Sequence, residues 1–309
     1  MLPPRLRWKL NRLRERVSEL FATPEPKPKV CFNCGKLVGA VQTVCPECGA
    51  NQSAVSFSAL KRIGMAAIPA ENPVTYALLF ANFLLYAVAW IASLRVADEP
   101  PGLLASMNQQ VMILLGAKFT PLILLEGEWW RLVMPNFLHW SLWHIGMNML
   151  ALWQIGPMVE ENFGSRRYLF LYLATGVSGF IASAFWDVAY RGYFVPSAGA
   201  SASLFGLIGV LVSYLGPRPG FAREYRSQLI RWAVIILVIG LFLPFDNAGH
   251  IGGLVAGLIL GRVVSDRRAA TPGARFRLAL MTWGSALVLL WSVAMVLLHL
   301  PATQQFLSR

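Results

Sequence analysis

An all-α polytopic membrane protein is the fold class this sequence predicts, and three observations predict it. Hydrophobic residues make up 56% of the 309 residues, and mean hydropathy is +0.54. Charged residues account for 14%, against about 25% in a typical soluble protein, which is too few to cover a water-facing surface. The apolar residues also fall in long runs. Charge is absent from 72–94, 132–159, 168–186, 192–217, 232–245, 247–261 and 278–308.

Five of these intervals reach the length of roughly 17–25 residues that a spanning helix needs. The two short ones flank Asp246 and borrow residues at their ends, where Arg231 and Arg262 snorkel outward. Seven spans are therefore expected, at about 73–95, 143–162, 167–186, 201–216, 229–244, 248–264 and 278–299. Of the 27 Lys and Arg, 22 lie before the first span or in and bordering the loops after the second, fourth and sixth. Arg95, Lys118, Arg131, Arg191 and Arg309 fall on the other side. The positive-inside rule then puts the N-terminus in the cytoplasm and the C-terminus outside.

Residues 1–29 form a basic, Pro-rich cytoplasmic tail with no apolar core, so no signal peptide is expected there. The net charge of +12 is accounted for by anionic lipid headgroups facing the cytoplasmic loops. Membrane lipid is thus an expected partner and nucleic acid is not.

The longest outside loop, 96–142, is not hydrophilic. Val111–Leu115, Leu122–Leu125 and the pair Trp129–Trp130 alternate with Lys118, Glu126, Glu128 and Arg131. That pattern predicts a segment lying at or in the interface. The blander account is a tryptophan belt anchoring neighbouring helices.

All four cysteines fall in one short stretch: Cys31, Cys34, Cys45 and Cys48, with Gly35 and Gly49 directly after each pair. Two Cys-x-x-Cys knuckles supply four thiolates in the usual structural zinc arrangement. A reducing cytoplasm disfavours disulfides, and iron in the same ligand set is the competing metal. Residues 30–50 are therefore expected to form a zinc ribbon-like knuckle with a structural role, and 51–72 a linker.

Polar side chains at membrane depth are costly, so each marks a functional hypothesis. His144 and Asn148 lie four apart on one face of the second span, where interhelical hydrogen bonding would explain them equally well. His139 lies just outside that helix, at the interface or orienting the loop. Gly199-Ala200-Ser201-Ala202 opens the fourth span at its outer end. A serine at a helix start is most often an N-cap, and Ser197 and Ser203 are competing hydroxyls.

His250 opens the sixth span, also at the outer end. Gly253, Gly257 and Gly261 follow it at small-xxx-small spacing, which permits close helix contact. Gly206 and Gly209 on the fourth span let the two helices approach with Ser201 and His250 at one depth. A serine hydroxyl is a poor nucleophile until a base takes its proton, and a neutral imidazole is the natural base near pH 7. Asp246 is expected in the outside loop, so a dyad is more economical than a triad.

These residues resemble the rhomboid intramembrane serine proteases. The resemblance is carried by Glu128-Trp129-Trp130-Arg131, Phe137-Leu138-His139, His144-x-x-x-Asn148, Glu160, Gly164, Gly199-x-Ser201, Phe205-Gly206 and His250-x-Gly252-Gly253-x-x-x-Gly257. It implies a six-helix core over 73–264. Residues 265–309 would add a cytoplasmic loop and a seventh transmembrane helix, and the knuckle lies outside the resemblance.

Carried over, the resemblance makes Ser201 the nucleophile and His250 the general base. His144, Asn148 and the Ser201 N–H would form an oxyanion hole. Trp130 and Arg131 would help fold the interfacial loop, and Phe205 would pack on the histidine. The family pattern has a glycine after the serine, and here Ala202 stands in its place. Its methyl is expected to be accommodated by the small surfaces of Gly199 and the Gly252–Gly253 pair. The expected function is cleavage of transmembrane protein substrates near the outer face, with no catalytic cofactor. The alternative is a catalytically weak or inactive relative that binds transmembrane helices. The plasma membrane of a bacterium is the expected location. A transporter is disfavoured because no charge pair sits mid-span.

Overall fold

A computed structural model describes residues 29–30, 37–39, 42, 45–47, 71–96, 106–216, 219–266 and 269–307. The chain divides into two units, Met1–Ala67 and Ile68–Arg309. In the first, β1 (Lys29–Val30) pairs antiparallel with β2 (Leu37–Val38), Lys29 opposite Val38 and Val30 opposite Leu37. Val38 and Cys45 are buried and cluster together. Cys31, Cys34 and Cys48 lie outside the described residues.

The second unit is helical. Its long helices are α1 (Pro73–Val96), α4 (Leu142–Phe163), α5 (Ser165–Trp186), α6 (Ser201–Leu215), α7 (Phe221–Ile239), α8 (Asn247–Val263) and α9 (Pro272–Leu307). Two short helices, α2 (Gln109–Leu114) and α3 (Thr120–Leu125), lie between α1 and α4. Among the described residues, Pro73–Val96, Ser165–Arg191 and Pro272–Pro301 are long and apolar enough to cross a membrane. The chain is an integral membrane protein with several apolar helices.

Two helices extend past their charge-free intervals. α7 starts at Phe221 rather than near 229. Arg231 donates to Ser227 and Glu224 across successive turns, so the charges that close the apolar run continue the helix as exposed turns. α9 starts at Pro272 rather than near 278. Proline suits the first helical turn, and the Thr271 hydroxyl accepts from the Ala274 N–H.

Helix ends are held by side chains from elsewhere. The buried Glu160 carboxylate on α4 accepts from the Val74 and Thr75 N–H groups and the Thr75 hydroxyl, capping α1 at 2.8–2.9 Å. An anion at a helix N-terminus satisfies orphan donors and complements the dipole. Gly164 alone joins α4 to α5.

α6 is the central element, with residues 202–212 all buried and α4, α5, α7 and α8 around it. The glycine stripe of α8 fits its backbone in register. A methyl at Gly253, Gly257 or Gly261 would fall 2.1, 1.9 or 2.7 Å from the carbonyl oxygens of Ala202, Gly206 and Val210. The steps of four on α8 therefore meet steps of four on α6. Gly209 faces α8 likewise, whereas the hydrogen of Gly206 faces Thr175 on α5.

The segment between α1 and α4 sorts its apolar residues to two sides. Val111, Met112, Ile113, Leu122, Ile123 and Trp130 are buried, while Leu124, Leu125 and Trp129 are exposed. A membrane belt thus fits Trp129 alone. Trp130 is fully buried with the Arg131 guanidinium 4.4 Å from its ring centroid. Arg131 is itself fully buried. It donates to the Glu128 carboxylate, the Ile113 and Ala117 carbonyls and the Thr303 hydroxyl of α9. One planar guanidinium thereby ties its own turn, the end of α2 and the last helix together.

Candidate active site

Ser201 is the first residue of α6, and Ala200 takes the N-cap position. The hydroxyl is therefore not spent on capping. It lies 2.8 Å from Nε2 of His250. His250, expected at the very start of its helix, is the fourth residue of α8, and Asp246 is the N-cap. His250 is 4% exposed. The glycine stripe lets α8 come close enough for the imidazole to reach across.

Two aromatic rings hold that imidazole. Phe205, one turn along α6 from Ser201, stacks on it with centroids 4.4 Å apart and planes 4° from parallel. Phe245 meets it edge-on at 6.3 Å. The second contact was not legible in the sequence, because Phe245 reads only as an apolar residue beside Asp246.

The loop before Ser201 is fixed from three sides. Lys118 and Ser197 form an antiparallel bridge with bonds of 2.8 and 2.9 Å. The Gly199 N–H donates to the Pro135 carbonyl at 2.9 Å. The Ala200 N–H donates to Nε2 of His139 at 3.3 Å, so this histidine orients the loop. Burial, with His144 alongside, holds His139 well below the ordinary imidazole range, which leaves the ring neutral and able to accept. Gly199 has φ of +146°, and a methyl there would fall 2.8 Å from the His144 ring. Glycine is thus required both by the backbone and by the histidine packed against it.

The three serines differ in what they touch. Ser203 donates to Asn136 and to the Tyr172 carbonyl, deep in the core. Ser197 donates to Asp246. Among the described residues, Ser201 is the serine that meets an imidazole.

Asp246 is a buried connector rather than a loose loop residue. Its Oδ2 accepts from Ser197 at 2.6 Å and from Ser183 on α5, and its Oδ1 accepts from the Gly249 N–H at 3.0 Å. Burial alone would raise this carboxyl. The Lys118 charge and these donors outweigh it and hold Asp246 below the usual carboxylate range, so it is ionised. Neither oxygen is bonded to His250, whose Nδ1 has no hydrogen-bond partner among the described residues.

Asn148 is buried and donates to the His144 carbonyl at 2.8 Å, one turn up its own helix. Among the described residues no hydrogen bond joins it to Ser201 or His250. Ser141 caps α4 by accepting from the His144 N–H, which sets where that imidazole begins. The Ser201 N–H stands at a helix start, where the first donors lack intrahelical partners.

The methyl of Ala202 points away from this cluster. It is buried with Ile123, Leu132 and Phe180, and a methyl on Gly179 of α5 would meet it at 2.8 Å. The expected room at Gly199 and Gly252–Gly253 is therefore not what accommodates it; Gly179 is. Gly253 instead faces the Ala202 carbonyl, and Gly252 faces Ala182.

The geometry offers one chemistry directly. An alcohol against an imidazole nitrogen can lose its proton as it attacks a carbonyl carbon. Among the described residues no three His, Cys, Asp or Glu side chains are grouped to hold a metal ion.

A family model described as Rhomboid domain matches residues 126–267. Rhomboid protease GluP of Bacillus subtilis (strain 168) is 37% identical over 206 residues, 65% of this chain and 38% of that protein. Rhomboid-like protease 2 of Toxoplasma gondii is 36% identical over 203 residues, 63% of this chain and 68% of that protein. Rhomboid protease AarA of Providencia stuartii is 31% identical over 170 residues, 48% of this chain and 60% of that protein. The match thus spans less than two thirds of the length of the Bacillus and Providencia relatives.

Proposed function

The chain belongs to the rhomboid family, and from that premise we propose that it is an intramembrane serine endopeptidase acting on transmembrane protein substrates. The observation that carries the proposal is the 2.8 Å contact between Ser201 Oγ and His250 Nε2. Ser201 attacks the scissile carbonyl carbon while His250 takes the hydroxyl proton. The developing oxyanion is met by the Ser201 N–H, His144 and Asn148. His250 then returns its proton to the leaving amine, and a water molecule, deprotonated by the same imidazole, hydrolyses the acyl-enzyme.

Depth supports an intramembrane site. α6 has 15 residues, about 22 Å of helix at 1.5 Å per residue, against a hydrocarbon core of about 30 Å. A nucleophile at the start of such a short helix is recessed below one bilayer surface. The basic asymmetry of the loops supports an outer position for that end. A substrate helix must unwind to present its peptide bond, which favours spans containing Gly or Pro.

Cys31, Cys34, Cys45 and Cys48 are proposed to hold one structural zinc through their thiolates, clear of the chemistry. The paired spacing supports this, as does the antiparallel pairing of β1 with β2, whose residues bracket the first Cys-x-x-Cys in sequence.

Ala202, which stands where the family pattern has glycine, is the residue that would favour an inactive helix-binding relative. With its methyl turned to Gly179, nothing favours that alternative. Labelling of the purified protein by a serine-directed fluorophosphonate tests the proposal. Wild type is expected to be labelled and Ser201→Ala not; equal labelling of the two would overturn it.

A further inference from the structure

The catalytic pair has a second pair standing behind it. Ser197 and Asp246 are each four residues before Ser201 and His250. They are joined by a 2.6 Å hydrogen bond, against 2.8 Å for the pair itself. The two contacts form successive rungs between the same two chain segments, the loop entering α6 and the first turn of α8.

The second rung is anchored more firmly than the first. On one side, the Ser197 backbone is held in both directions by Lys118. Lys118 in turn is buried, with its ammonium 2.6 Å from Asp187 and 3.2 Å from the Val195 carbonyl. On the other side, Asp246 caps α8 through the Gly249 N–H and is tied to α5 through Ser183. By contrast, His250 has no hydrogen bond at Nδ1 among the described residues. Its reach toward Ser201 depends on the Phe205 stack and on where its helix begins. A buried carboxylate engaged by three donors is a stiff element, and catalytic groups must be held to within about 0.5 Å.

We propose that Ser197 and Asp246 are positioning residues, whose hydrogen bond sets the Ser201–His250 distance. Resting on the peptidase function proposed above, the inference predicts that loss of this bond lowers reactivity of Ser201 without loss of substrate binding.

The test uses the full-length protein in detergent. Three quantities are read: the second-order rate of Ser201 labelling by a fluorophosphonate, kcat and KM on a transmembrane reporter substrate, and thermal unfolding. Ser197→Ala removes the donor. Asp246→Asn keeps an acceptor oxygen for the Gly249 N–H and replaces the oxygen that both Ser197 and Ser183 use, and Asn is itself a good N-cap. Because a misplacement of about 1 Å can cost about 10²-fold, each variant is expected to label and turn over roughly 10–100-fold more slowly. KM should stay within about threefold. The double variant should be no worse than Asp246→Asn alone, since the Ser197–Asp246 bond is already lost there. Ser197→Thr, which restores the hydroxyl, should recover most of the rate.

Wild-type labelling rates in Ser197→Ala would overturn the inference, as would a loss confined to KM, a loss that Ser197→Thr does not rescue, or additive losses in the double variant. These outcomes all presuppose a wild-type protein that labels at Ser201. A wild-type protein that does not label would instead overturn the peptidase function, and the inference with it.

Discussion

Phe205 and His250 lie face to face, with ring centroids 4.4 Å apart and planes 4° from parallel. The stack carries the orientation of an imidazole that has no hydrogen bond at its far nitrogen among the described residues. Aromatic pairs of this kind contribute about 0.5–1.5 kcal/mol beyond their buried area. Phe205→Leu is therefore expected to slow turnover roughly tenfold, the rate equivalent of about 1.4 kcal/mol. Phe205→Tyr, which keeps the ring, should stay within about threefold of wild type. Steady-state cleavage by the two variants checks this, and equal losses would contradict it.

Ala202 and Gly179 form a fitted pair, so Ala202→Gly should leave turnover within about twofold while lowering stability by about 1 kcal/mol through lost burial and added chain freedom. Gly257→Ala is the opposite case, because its methyl would fall 1.9 Å from the Gly206 carbonyl. Backbone atoms cannot yield as a side chain does. Prying α8 from α6 should cost about 1–3 kcal/mol and also depress Ser201 labelling. Thermal unfolding and labelling rates, measured together, distinguish the two. A large rate gain in Ala202→Gly would mean that the methyl obstructs the site after all.

Arg131 bonds to groups on three parts of the fold, and its ion-pair partner Glu128 is also buried. Arg131→Ala should destabilise by about 3–5 kcal/mol, because it strands a buried carboxylate. Arg131→Lys should recover little, since a single ammonium cannot serve the same fork of acceptors. Melting curves in detergent check both, and full recovery by lysine would contradict the account of the loop.

Elemental analysis of the purified protein is expected to find about one zinc per chain, the complement of one four-thiolate site. Cys45→Ser should abolish it. Ser201 labelling should be retained in that variant, since the proposed topology has the cysteines on the cytoplasmic side and Ser201 at the outer end of its span. Iron in place of zinc, or no metal, would contradict the assignment.

The helices were legible because a membrane helix must satisfy its backbone internally, so it leaves a long uncharged trace. Where charge ends such a trace without ending the helix, as at Arg231 in α7, the trace falls short. The glycine stripe on α8 could be read from spacing, and its register against α6 could not, because register depends on which face the partner offers. At the site, Ser201, His250 and Phe205 were nameable from residue type and position. Asp246 reads in the sequence only as a loop residue. Its role depends on Ser183, Ser197 and Lys118, which are distant in sequence, and only the fold brings them together. An aspartate immediately before a helix, four residues ahead of a candidate base, is the signal that was available. Gly179, the residue that accommodates Ala202, lies on a different helix and leaves no local trace.

The most direct test is cleavage of a transmembrane substrate by the purified protein in proteoliposomes free of other proteases. Wild type should cut near the outer face. Ser201→Ala and His250→Ala, folded and inserted, should both be inert. Asn148→Ala should retain slow cleavage, since loss of one oxyanion donor typically costs about 10²–10³ in turnover. A Ser201→Ala protein that still cuts the substrate would contradict the account at its centre.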